Sequence, residues 1–149
     1  MRFDQGGLEI LGSEECRSLL RSAPLGRVVF TDQALPAVQP VNFALLDGDV
    51  IIRTSVDSKL STAAEGAIVA FEVDDFDADA HTGWSVVAVG EARVVRDPGE
   101  RAELAELPLR SWAPGERDQF IRIRLELLRG RRIPANGSRA SPTTERTPG

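Results

Sequence analysis

Cysteine occurs once in these 149 residues, histidine once, lysine once, and tyrosine not at all. A lone Cys16 excludes an internal disulfide and any multi-cysteine metal site, and it fits a reducing cytoplasm. No run of apolar residues is long enough to cross a bilayer, so no membrane partner is expected. The start, Met1-Arg2-Phe3-Asp4-Gln5-Gly6-Gly7, has no apolar stretch and does not read as a secretory signal. Positive charge is also scarce: the net charge is −5 and the pI near 5.0, which argues against nucleic acid as the main partner. What remains is one domain's worth of chain, 42% hydrophobic, enough for a single core. Because Lys59 is the only lysine among 18 basic residues, it hints at a position that needs a compact ammonium.

The pattern opens with a helix. Ser13 can cap it, Glu14 and Glu15 suit the positive end of its dipole, and Cys16, Leu19, Leu20 and Ala23 form one stripe. Pro24 and Gly26 end it. From there the chain reads as β: strands over residues 27–31, 37–46, 49–55, 67–74, 83–95 and 119–126. Pro40 points to a bulge or an edge, and Asp47-Gly48 is a strong hairpin turn. Short helices are predicted near 59–65, capped by Asp57 or Ser58, and over 97–107. Six strands joined largely by short turns predict a mainly β fold with small α elements, an antiparallel barrel rather than a parallel α/β sheet. Residues 1–12 read as an N-terminal arm, 13–133 as the domain, and 134–149 as a polar, disordered tail.

One stretch carries chemistry. Arg53-Thr54-Ser55-Val56-Asp57-Ser58-Lys59-Leu60 brings an arginine, hydroxyls and an ammonium to a strand end and a capped helix start. Such donors suit a phosphate, although an ordinary capped helix with a solvated lysine has the same pattern.

With Gly26-Arg27-Val28-Val29-Phe30, Pro36 to Phe43, Arg53-Thr54-Ser55, Ser58-Lys59-Leu60, Val69 to Asp74, Gly83-Trp84-Ser85-Val86 and Gly130-Arg131-Arg132-Ile133, the sequence resembles the pyridoxamine 5′-phosphate oxidase-like proteins over about residues 12–133. The resemblance implies a six-stranded antiparallel split β-barrel, FMN held across a homodimer interface, and an FMN-dependent oxidoreductase passing hydride between NAD(P)H and a small acceptor. Residue by residue, it places Thr54, Ser55, Ser58 and Lys59 at the FMN phosphate, with Arg53 beside them. Val41 and Asn42 would line the isoalloxazine edge, where an amide can both donate and accept. Trp84 would approach the flavin from the second subunit, or serve as a core or interface tryptophan. Arg131 and Arg132 would cover the cofactor or an anionic substrate, or form a solvated strand end, the reading preferred here.

Departures from the family pattern bear on function. The arginine–histidine pair that holds the substrate phosphate in pyridoxamine phosphate oxidases has no counterpart after Ile133, and the absence of tyrosine favours FMN over a deazaflavin. A flavin carrier or sensor without catalysis is the alternative, followed by a haem binder using His81. Other readings are weaker. Glu72, Asp74, Asp75, Asp77, Asp79 and His81 lack the spacing of a calcium loop and read as an acidic turn. His81 with Ser85 lacks a nucleophile elbow, and Cys16 reads as core.

Overall fold

A computed structural model of the chain describes residues 1–109 and 118–135. Among them it has ten strands and three helices, with the strands paired antiparallel. The chain divides into two compact units, one of Met1–Ala23, Val73–Val87 and Leu128 onward, the other of Pro24–Glu72 and Ala88–Leu127.

In the first unit, β1 (Arg2–Phe3) pairs with β2 (Glu9–Leu11), and β2 pairs with the closing strand β10 (Leu127–Ile133). Helix α1 (Ser13–Ser22) buries Cys16 and Leu20, two of the residues on the predicted stripe. Its N-cap is Gly12 rather than the expected Ser13, and no side chain caps it. Residues 1–12, expected as an arm, therefore carry two short strands. The ends of β10 and β2 are laced by ion pairs: Arg131 to Asp4 at 3.0 Å, Arg132 to Glu9 at 3.3 Å and to Glu15 at 2.5 Å.

In the second unit, β3 (Gly26–Asp32) lies between β4 (Leu35–Val41) and the opening half of β7 (Ile68–Asp77), whose residues from Val73 on belong to the first unit. A second path runs β5 (Phe43–Leu46), β6 (Asp49–Ser55), β9 (Asp118–Ile123) and the closing half of β8 (Thr82–Val95), whose residues up to Val87 belong to the first unit. Between β5 and β6, Asp47 and Gly48 take φ of 52° and 84°, the left-handed pair that a two-residue hairpin requires. Alternation on β6 and β9 sends Val50, Ile52, Ile121 and Ile123 to one fully buried face. The other face holds Ile51 and Phe120, which pack with Val95, Leu104 and Leu109 beneath α3 (Pro98–Leu104), whose cap is Asp97.

The strand count exceeds six because β1, β2 and β10 lie outside the expected strands and one expected strand divides. The expected strand 37–46 breaks at Asn42: its first half pairs with β3, with Pro40 opposite Arg27, and its second half turns to β6. Pro40 cannot donate to a ladder, and β4 ends its path, the edge position that proline tolerates. The expected strand 119–126 stops at Ile123, although the Arg124 and Glu126 N–H groups still bond to Glu91 and Val89 on β8. There the carbonyl of Arg124 crosses so close to Gly90 that an added Cβ would lie 1.5 Å from its oxygen. The expected tail begins at 134, and beyond Ala135 it lies outside the described residues.

Candidate functional site

The expected phosphate site centres on the junction of β6 with α2 (Lys59–Ala64). Ser58 is the N-cap: its Oγ accepts the Ser61 N–H at 3.0 Å and the Thr54 hydroxyl at 3.1 Å. The Ser58 hydroxyl oxygen thus accepts twice, and its own proton remains to donate. Ser61 in turn donates its hydroxyl to the Gln119 side chain on β9, the strand residue opposite Thr54. Thr54 is 8% exposed and Ser61 6%, so the hydroxyl chain is the buried polar rim of an otherwise apolar interior. Ser55, one residue on, accepts the Asp57 N–H at 3.2 Å.

Lys59 stands apart from this chain of hydroxyls. Its ammonium is 3.8 Å from Asp32 at the end of β3 and its side chain is 80% exposed. A contact that long on a solvated lysine is worth little, so the charge remains available to an anion. The cap uses one N–H of a six-residue helix, so hydroxyls and ammonium rather than a long helix dipole would provide the binding energy.

Arg53 goes elsewhere. Neighbours on a strand point to opposite faces, and Arg53 lies on the Phe120 face, donating to Asp118 at 2.9 Å and to the Leu109 carbonyl at 3.3 Å. The structure therefore brings Thr54 and Ser58 together, sets Ser55 and Lys59 on either side of the turn, and carries the Arg53 guanidinium away from them.

Val41 and Asn42 occupy the break between β4 and β5. Val41 is buried opposite Gly26, and the half-buried Asn42 precedes the first β5–β6 pair, Phe43 with Ile52. The Asn42 amide makes no hydrogen bond among the described residues, so both its donor and its acceptor are available. Phe43 meets Phe71 edge-on with ring centroids 4.8 Å apart, which fixes the strand that follows.

In the first unit, Trp84 is half-buried and lines a cavity of about 360 Å³ with Phe76, Arg132 and Ile133. The sequence reading missed Phe76, 60% exposed in the turn-side half of β7. Its only sequence signal is an aromatic side chain amid acidic residues. Arg131 and Arg132 are not a solvated strand end: their carboxylate partners hold them half-buried, and the Glu15 hydrogen bond pushes the Arg132 guanidinium further toward its charged form. The acidic turn is partly self-satisfying, with Asp77 accepting the N–H groups of Asp79 and Ala80. His81 sits exposed at its tip with φ of 56°. Burial, reinforced by the Glu15 charge, pushes the Cys16 thiol up and keeps it protonated, as a core side chain should be.

Among the described residues no helix is long and apolar enough to cross a membrane. Comparison with known proteins places this architecture. The family model described as pyridoxamine 5′-phosphate oxidase matches residues 12–132. The uncharacterised protein Rv0080 of Mycobacterium tuberculosis is 43% identical over 131 residues, 85% of this chain and 86% of that protein. Among solved structures, an FAD binding protein from Mycobacterium smegmatis is 37% identical with a TM-score of 0.74, covering 83% of this chain and 97% of its own. A conserved protein of unknown function from Corynebacterium diphtheriae is 35% identical with a TM-score of 0.71, covering 84% and 97%. With an open antiparallel sheet, few helices and a match spanning most of its length, the chain is a member of the pyridoxamine 5′-phosphate oxidase-like family of flavin-binding split barrels.

Proposed function

We propose that the chain binds FMN and uses it to pass hydride between NAD(P)H and a small acceptor. The observation that carries the reading is the donor set at the end of β6. Ser58 has both its acceptor positions filled and a proton left to give, and Lys59 beside it is solvated, with Asp32 no nearer than 3.8 Å. That set fits a phosphate monoester, which offers only acceptors. The name of the 37% identical Mycobacterium smegmatis protein supports a flavin, in that case FAD.

When bound, a flavin supplies the hydride chemistry, and the protein supplies binding, orientation and electrostatics. Thr54 holds Ser58 in place, Ser58 and Lys59 bind the phosphate, Ser55 holds the turn before them through the Asp57 N–H, and Val41 with Asn42 lines the ring edge. Asn42 can donate to a carbonyl and accept from a ring N–H without moving a proton. Arg53, turned to the other face of β6, has no part in this site.

The functional unit in this reading is a homodimer, with Trp84 contributed to the flavin by the second copy. Leu35 and Val38 on β4, 68% and 60% exposed on the last strand of its path, are apolar side chains that a partner would cover. The test is an absorbance and fluorescence titration of the purified chain with FMN and, separately, FAD, followed by NADPH oxidation. Micromolar FMN binding with turnover supports the full reading. Binding without turnover leaves a carrier or sensor, tighter FAD binding replaces the mononucleotide, and indifference to both refutes the flavin site.

A further inference from the structure

The face of β6 opposite the hydroxyl chain carries a second, chemically distinct concavity. Arg53, Arg96, Arg101, Asp118 and Phe120 line a cavity of about 590 Å³ against α3, a size typical of small-ligand sites. The guanidinium carbons of Arg53 and Arg101 lie 5.3 and 5.8 Å from the centre of the same Phe120 ring. Two cations over one ring repel each other, and one carboxylate, Asp118, lines the cavity with them, 2.7 Å from Arg53.

The contrast with the other part-buried arginines is informative. Arg122 is matched by Asp49 at 2.7 Å and Glu100 at 3.0 Å, and Arg132 by Glu9 and Glu15. Arg101 forms no ion pair among the described residues. It donates to the main-chain carbonyls of Val95 and Asp118, at 3.4 and 3.3 Å. Those carbonyls fix its planar fork without cancelling its charge, which reduces the ordering cost of binding an oxyanion. Arg96 contributes a further cation at the rim, tied to Glu65 from outside the cavity. Ala102, exposed on α3, keeps the wall short. In a chain of net charge −5, this local excess of arginine runs against the overall balance.

We infer that this cavity binds a polyvalent oxyanion, a phosphorylated or polycarboxylate small molecule, gripped by Arg53, Arg96 and Arg101 over Phe120. The site is independent of the proposed flavin phosphate site, which lies on the other face of the same strand.

The test is calorimetric titration of the full chain with inorganic pyrophosphate and with citrate at low ionic strength. Saturable binding of either anion is expected, and the preferred one identifies the class. Arg101→Gln should weaken it about tenfold or more, the loss of one charge-assisted hydrogen bond. Ala102→Glu, which removes no existing contact, should do the same by placing a carboxylate in the cavity, and it decides the matter if Arg101→Gln misfolds. The inference is overturned if neither anion binds. It is equally overturned if Lys59→Ala abolishes binding while the two cavity variants do not, because the ion then sits at the hydroxyl chain.

Discussion

Replacing Ser58 by alanine removes one oxygen that does two structural jobs. The first is the cap of α2, the hydrogen bond from the Ser61 N–H at 3.0 Å, and losing such a cap costs about 1 kcal/mol. The second is the bond from Thr54, whose hydroxyl is 8% exposed and would be left without its acceptor, at a cost of about 1 kcal/mol more. Together the loss is about 2 kcal/mol, or a fall in melting temperature of about 4–8 °C for a chain of this size. Circular dichroism melts of the ligand-free protein, backed by urea titration with an unchanged m-value, measure it. Ser58→Asp separates the structural role from the binding role. Aspartate is as good a cap as serine, so stability should recover, while its charge should repel a phosphate and lower FMN affinity about tenfold or more. A Ser58→Ala protein within about 0.5 kcal/mol of the parent would refute the capping argument. A Ser58→Asp protein that binds FMN as well as the parent would refute the phosphate site.

Three further expectations rest on single contacts. Lys59→Ala should leave stability within about 0.5 kcal/mol, given an 80% exposed side chain 3.8 Å from Asp32, yet weaken FMN binding by about 1.5–3 kcal/mol in a fluorescence titration. Gly90→Ala should destabilise by about 3 kcal/mol or more, read as a drop in the urea midpoint, because the new Cβ meets the Arg124 carbonyl backbone rather than a movable side chain. Glu100 has its carboxyl held below the usual 4.5 by the hydrogen bond from Arg93, with Arg122 adding to it. A depressed folded value stabilises the fold above the unfolded one, and that stabilisation disappears as pH falls through the folded value. Glu100→Gln should therefore cost about 1–2 kcal/mol at pH 7, and the gap to the parent should close on acidification below 4.5 in denaturation series across pH. A gap independent of pH would remove the carboxylate from the explanation.

The sequence by itself carried the antiparallel β class, the Asp47-Gly48 hairpin, the short capped helix at Ser58 and the buried stripe of Cys16 and Leu20. Each of these depends on neighbours within about seven residues, where alternation, helical spacing and turn chemistry act directly. It also carried the family, because ordered motifs over residues 12–133 need no coordinates to be recognised. Tertiary structure decided what depends on residues distant in sequence. Only the fold brings the Arg124 carbonyl against Gly90 just past the end of β9, and only the split pairing of β4 and β5 breaks the strand at Asn42. Arg53 looked like a neighbour of Thr54 because they adjoin in sequence. On a strand that adjacency sends the two side chains to opposite faces, and Asp118, 65 residues away, determines where the guanidinium rests. The same holds for Arg131 and Arg132, whose carboxylates at positions 4, 9 and 15 come close only when β10 pairs with β2.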